Sequence, residues 1–171
     1  MHDSNERIIG IDPGLAITGI GILDTGPNKL EPVYCGCIKT KKSIPVYTRL
    51  NEIFNSINDI IKEYSPDYMA VEKLFFSSNT KTAIDVGQAR GVSLLAGSSN
   101  NIQISEYTPL EVKQAVVGYG KATKNQIKYM LKILLKKDDD YFPKVDDAWD
   151  AMAIAICHAN SMKFKNKISS Y

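Results

Sequence analysis

Four carboxylates, Asp12, Glu72, Asp147 and Asp150, stand at the ends of segments that read as strands or helices, and this placement most constrains the folds open to the chain. Ile8-Ile9-Gly10-Ile11 is an apolar run that turns polar at Asp12 and is stopped by Pro13-Gly14, the pattern of a buried strand leaving its sheet. Tyr68-Met69-Ala70-Val71 is a second, shorter run with β propensity, and it ends in Glu72. Asp147 and Asp150 are three apart where an alanine-rich helix begins, so they share a face near its amino end. A fold that uses all four must bring two strand ends and one helix start to the same edge of a sheet.

Chemistry supplies a reason to collect acids there. Hydrolysis of a phosphodiester at neutral pH needs an activated water and a stabilised leaving oxygen, and two Mg²⁺ ions roughly 4 Å apart can provide both. Such hard cations take oxygen ligands. Acids on two strand ends can hold them from below while an i, i+3 pair closes the site from the side, and the helix dipole favours the ionised pair. Each acid also has a plainer reading. Asp12 suits a turn before Pro13, Asp146 or Asp147 suits a helix cap, and Glu72 suits an exposed strand end. Their joint occurrence, in an order that fits an α/β sheet, favours a two-metal nuclease centre.

The succession of elements agrees with that architecture. Residues 8 to 12, 17 to 24 and 31 to 39 read as strands of an antiparallel meander, with a turn at Asp24-Thr25-Gly26-Pro27-Asn28. Val46, Leu50, Ile53, Phe54, Ile57, Ile60 and Ile61 recur at helical spacing, and the helix should stop before Ser65-Pro66. After the strand that carries Glu72, a helix is expected from about Thr80 to Ala96, then a strand over about Ile102 to Tyr107, then helices to the end. The chain has 171 residues and is 44% hydrophobic, enough for one well-filled domain over 1–171.

Charge and cysteine content add little. A net charge of +2 does not by itself announce a nucleic-acid binder. Cys35, Cys37 and Cys157 lack the spacing of a zinc site and read as small core residues in a reducing compartment. No apolar run approaches 18 residues and the first residues carry no apolar signal segment, so a cytoplasmic protein without a membrane span is expected.

Residues outside the acids suit substrate handling. Thr123 with Gln126 forms a capping-box pattern, and Lys124, Lys128, Lys132 and Lys136 follow at four-residue intervals opposite Ile127, Met130, Leu131 and Leu134. Lysines so arranged repel one another, and a phosphate backbone would relieve them. With Lys113 and Lys121 upstream, phosphate binding is preferred over a merely solvated face. Phe75 and Phe76 precede the polar stretch Ser77-Ser78-Asn79, and an exposed ring there could stack on an unpaired base, while Phe76 suits the core. Gly87 and Gly91, four apart in an expected helix, would let another helix approach closely. His158 follows Asp150 by eight residues, about 12 Å along a helix, and reads as structural.

Five segments in this order resemble one family: Gly10-Ile11-Asp12-Pro13-Gly14 with Thr18-Gly19; Glu72-Lys73-Leu74-Phe75; Gly87-Gln88-Ala89-Arg90-Gly91; Val112-Lys113-Gln114 through Val117-Gly118-Tyr119-Gly120 to Lys124; and Asp147-Ala148-Trp149-Asp150-Ala151-Met152-Ala153. Together they resemble the RuvC Holliday junction resolvases of the ribonuclease H-like superfamily. The resemblance implies an α/β, ribonuclease H-like fold with a five-stranded mixed sheet, an antiparallel meander followed by parallel strands, flanked by helices. It implies a homodimeric endonuclease that cuts four-way junctions with Mg²⁺, two ions per subunit, or Mn²⁺ in its place, and works with the RuvA and RuvB branch-migration proteins. It marks Asp12, Glu72, Asp147 and Asp150 as catalytic and metal-binding, Phe75 as base-stacking, Lys113 and Lys124 as DNA-binding, and the helix of Gly87 and Gly91 as the dimer interface. Trp149, where the family commonly has a small residue, and the additional acid Asp146 depart from the pattern. Two other classes stay open: an actin-like or sugar-kinase-like ATPase, which normally needs two related domains, and a noncatalytic junction-binding protein, which would need none of the four acids.

Overall fold

The structure is a computed structural model that describes residues 5–26, 29–73 and 80–168. Five strands form one sheet: β1 (Glu6–Asp12), β2 (Ile17–Thr25), β3 (Leu30–Lys39), β4 (Tyr68–Glu72) and β5 (Gln103–Tyr107), in the order β3-β2-β1-β4-β5. The first three make the expected antiparallel meander, and β4 and β5 join it in parallel on the far side of β1. Their crossovers are the helices α1 (Val46–Tyr64) and α2 (Thr80–Ser99), while α3 (Pro109–Val117), α4 (Lys124–Leu135) and α5 (Asp146–Ile168) follow β5.

Two apolar layers sandwich the sheet. On one face Ile9, Ile11, Ile20, Ile22, Met69 and Val71 pack against Ile53, Ile57 and Ile61 of α1 and Ala89 and Ala96 of α2. On the other, Ile8, Leu23 and Ala70 meet Val112, Val116, Ile127, Leu131, Met152 and Ile156 from α3, α4 and α5. Adjacent strand residues point to opposite faces, so the parity of each strand assigns its residues to a layer. Ile8, Gly10 and Asp12 belong to the α5 face, as do Ala70 and Glu72.

Helix boundaries have identifiable local causes. α1 ends where Ser65 turns left-handed (φ 47°) and its N–H donates to the Ile61 carbonyl, just before Pro66. α4 starts with the expected capping box: Gln126 N–H donates to the Thr123 hydroxyl, and Thr123 N–H to the Gln126 side chain. Thr108-Pro109-Leu110-Glu111 does the same for α3, with Pro109 in the first turn, so this boundary too has a signature in local sequence. Among the described residues, no helix is long and apolar enough to cross a membrane.

Trp149 lies in the core. It stacks on Phe142 with ring centroids 3.8 Å apart and donates its indole N–H to the Pro143 carbonyl at 3.0 Å. The bulky ring therefore secures the chain leading into α5. The cysteines are free, and burial pushes the Cys35 and Cys157 thiols up to about 12, consistent with inert core residues. His158 is buried beside Tyr107, whose hydroxyl lies 2.8 Å from its Nδ1, and its ring also packs on Tyr68; this is the expected structural role.

Candidate active site

The acids meet because β1 and β4 are parallel neighbours. Ile11 pairs with Val71, so Asp12 and Glu72, one residue further on each strand, emerge side by side at the carboxyl edge of the sheet and on the same face. Asp12 also pairs across the other ladder with Gly19. That glycine admits α5: a β-carbon at Gly19 would collide with the Asp147 carbonyl, and one at Gly21 would lie 2.6 Å from the Met152 Cα. Gly10 meets Ala151 and Ala155 in the same way, with Ala155 N 2.7 Å from its notional β-carbon. A strip of three glycines on β1 and β2 thus receives the alanine-rich face of α5 and places its first turn beside Asp12.

Electrostatics shows how close the convergence is. Burial, and then the charges of Glu72, Asp150 and Asp147, raise the Asp12 carboxyl to about 8. Burial followed by the Asp150 charge also raises Glu72, with Lys124 and Lys113 acting in the opposite sense. Asp150 is raised by burial in spite of Lys124. Such mutual perturbation at one sheet edge is a signature of functional carboxylates.

The donor set, carboxylate oxygens alone, suits a hard divalent cation. As they stand, however, no three Asp, Glu, His or Cys side chains among the described residues converge closely enough to hold a metal ion. The cation inside the cluster is a lysine. Lys124 Nζ lies 3.3 Å from Asp150 and 3.5 Å from Asp146. A cleft of about 190 Å³ beside this ion pair is lined by Glu72, Asp150, Lys113, Lys124, Pro109 and Val112, among others.

The lysine ridge has acidic partners within the chain. Lys128 pairs with Asp146 at 2.6 Å and lies over the Trp149 ring, and Lys132 pairs with Asp139 at 3.0 Å. Lys136 adopts a left-handed conformation as the cap of α4 (φ 52°) and leaves the helix line. Neighbouring acids, on α5 and in the turn before it, relieve the repulsion that the sequence pattern alone assigns to phosphate. Lys121 is exposed in the turn before α4 and Lys113 is half-buried at the cleft. Phe75 and Phe76 lie outside the described residues. Arg90, whose function no local pattern signals, donates Nε–H to the Glu72 carbonyl at 3.3 Å and pairs with Glu106, tying α2 to the strand end that bears Glu72.

On α2, a β-carbon at Gly91 would meet nothing within 4 Å, so this glycine is not spent on packing within the chain. Ile84 and Leu95, 63% and 57% exposed, lie along the same side of the helix.

Residues 8–158 match the family model described as crossover junction endodeoxyribonuclease RuvC. The chain belongs to the RuvC family. It is 52% identical to the RuvC of Desulforamulus reducens over 152 residues, covering 89% of this chain and 92% of that protein. With the RuvC of Halothermothrix orenii it shares 51% identity over 160 residues, covering 94% and 96%. Its fold matches that of Thermus thermophilus RuvC solved in complex with a Holliday junction substrate, with a TM-score of 0.87, 29% identity and coverage of 94% and 96%. The yeast mitochondrial Holliday junction resolvase Ydc2, 12% identical with a TM-score of 0.68, shares the fold. The five-stranded mixed sheet is therefore the RuvC arrangement.

Proposed function

We propose that this chain resolves Holliday junctions by hydrolysing two symmetry-related phosphodiesters, one per subunit of a homodimer, to leave ligatable 5′-phosphate and 3′-hydroxyl nicks. The observation that carries this reading is the meeting of Asp12, Glu72, Asp147 and Asp150 at one sheet edge, where burial and then neighbouring carboxylates raise the affinity of Asp12, Glu72 and Asp150 for protons. Asp12, Glu72, Asp147 and Asp150 would hold two Mg²⁺ ions, with Mn²⁺ as a substitute. When bound, these ions supply an activated water and a stabilised leaving oxygen. The protein's own part is to fix the carboxylates on rigid elements and to present cations to the phosphates. Lys113 at the cleft is suited to the scissile strand, and exposed Lys121 to the flanking backbone; Lys124 and Lys128 adjoin both the acids and the approach to them. Such contacts position DNA and make binding salt-dependent without reading sequence. Phe75 is proposed to stack on a base near the exchange point.

A synthetic mobile four-way junction tests the reading. Paired, ligatable nicks are expected with Mg²⁺ and none in EDTA, while the junction is still bound in EDTA at low salt. Tight binding without cutting under every metal would instead favour a noncatalytic junction-binding protein.

The dimer is assigned to α2. Its exposed stripe of Ile84, Gly91 and Leu95 presents apolar surface around a gap that a second helix could enter, and a two-fold axis through it would match the two equivalent strands of a junction. Leu95→Glu is expected to convert the protein to monomer in sedimentation analysis and to replace paired cuts by single, uncoordinated nicks. Because Leu95 is exposed in the protomer, its thermal unfolding as a monomer should be little changed. In the cell, the proposed setting is recombinational repair in the cytoplasm alongside RuvA and RuvB, a reading that rests on family membership.

A further inference from the structure

The lysine held among the acids is difficult to reconcile with a site ready for metal. Lys124 Nζ bridges Asp150 at 3.3 Å and Asp146 at 3.5 Å, and its charge is felt at Asp12 and Glu72 as well. Burial lowers its affinity for protons, but the two carboxylates outweigh that effect and keep the ammonium charged. Asp146 and Asp150 are four apart on α5, Lys124 and Lys128 four apart on α4, so the two helices face each other as a ladder of charges. Its members are not equivalent. Asp150 lies within the acid cluster, whereas Asp146 projects outward, 46% exposed, and is engaged by Lys128 at 2.6 Å. Lys128 is in turn steadied over the Trp149 ring, 5.3 Å from its centroid. Asp146 is thus a fixed carboxylate beside the cluster, within reach of the same ammonium.

We propose that Lys124 is the resident counter-ion of the metal-free acid cluster, and that Asp146, pinned by Lys128, is the second seat that receives its ammonium when a divalent cation takes Asp150. The proposal rests on reading the four acids as the metal centre. A lysine and a divalent cation cannot share one carboxylate pair without strong repulsion at such short range, so binding of either opposes the other. Without a second seat, the ammonium would have to be released to solvent or remain where it obstructs. With it, the lysine gives up one partner, keeps the other, and stays beside the cleft where a phosphate would lie. In this role Asp146 is a positioning residue that acts through Lys124. The additional acid and the bulky Trp149 then belong to one device, the ring supporting Lys128 and Lys128 holding Asp146.

The test is Mn²⁺ binding to the DNA-free protein, followed by calorimetry and by the loss of the free Mn²⁺ electron-resonance signal, at fixed pH and low salt. Lys124→Met should bind Mn²⁺ on the order of tenfold more tightly, because the competing charge is gone. Asp146→Asn should bind it several-fold more weakly, because the lysine then remains on Asp150. Removal of any acid near the site would weaken a cation by its field alone, so the decisive comparison is the double variant. On the Lys124→Met background the Asp146→Asn effect should largely vanish, whereas a simple field effect would persist undiminished and overturn the proposal. Unchanged Mn²⁺ affinity in Lys124→Met would overturn it as well. Lys124→Gln repeats the measurement with a polar side chain in case Met perturbs the start of α4. Asp12→Asn separates the two readings: if it leaves Mn²⁺ binding intact, or if no variant binds Mn²⁺, the acids are not the metal centre and that reading fails, not merely the second seat.

Discussion

Asp12→Asn is expected to abolish junction cleavage while making the metal-free protein more stable at neutral pH. The loss of activity follows from position, since Asp12 is the acid to which Glu72, Asp150 and Asp147 all couple. Loss of several kcal/mol of transition-state stabilisation would slow cleavage by a factor on the order of 10³. The gain in stability follows from linkage. The Asp12 carboxyl is raised to about 8 in the folded chain from an ordinary 3.8. A group whose affinity for protons is higher when folded contributes stability that is full below its unfolded value and is lost as pH rises through its folded one. The metal-free wild type should therefore lose stability between about pH 4 and pH 8. At roughly 1.4 kcal/mol for each pH unit between those limits, the accumulated cost is on the order of a few kcal/mol, reduced by relaxation of the cluster. Asparagine keeps the shape and removes this pH dependence. Urea melts at pH 5 and pH 8 in EDTA should show the wild-type midpoint falling with pH and the variant's falling clearly less, the remainder coming from the raised Glu72 and Asp150 carboxyls. Mg²⁺ should restore the wild type at pH 8 and do little for the variant. A variant that still cut junctions at the wild-type rate would remove Asp12 from the site.

Gly19→Ala is the second change with a large expected effect, although it removes no functional group. A methyl there would collide with the Asp147 backbone carbonyl, and backbone cannot rotate aside as a side chain can. The helix start must shift, or β2 must pull away from it. Overpacking of this kind costs about 1 to 3 kcal/mol. The catalytic cost should be greater, because Asp147 and Asp150 ride on the turn that moves, and a misplacement of about 1 Å can lower a rate on the order of 10²-fold. Junction binding in EDTA, to which Lys113 and Lys121 contribute from outside the turn that moves, should fall much less. Cleavage that survived with binding intact would mean that the seating of α5 on the glycine strip does not position the acids.

These two variants differ in how visible their targets are in the sequence. The strands over 8–12 and 17–24, the stop of α1 at Ser65-Pro66 and the cap at Thr123 follow from local pattern, and each appears where its residues require it. Boundaries moved where propensity is indifferent, as at α2, which runs on to Ser99. The candidate acids could be named because strand ends and helix starts have local signatures and because the motif segments fall in the order of a family. The ion pairs could not be named, since they join α4 to α5 and a lysine ridge looks the same in sequence whether it faces solvent, phosphate or another helix. Repulsion awaiting phosphate is a sound expectation for α4 alone, whereas in the fold Asp146 and Asp139 also supply opposite charge to Lys128 and Lys132.

By itself, then, the chain's order of residues determined its strands and helices, its family and which acids are candidates, because these depend on periodicity, turn chemistry and residue type. Tertiary structure alone decided that Gly10, Gly19 and Gly21 form the seat of α5, that Trp149 faces the core, and that Lys124 stands among the carboxylates. Each of these is a contact between segments distant in sequence, set by the crossover of parallel β1 and β4 and by how closely a helix can approach a sheet stripped of side chains.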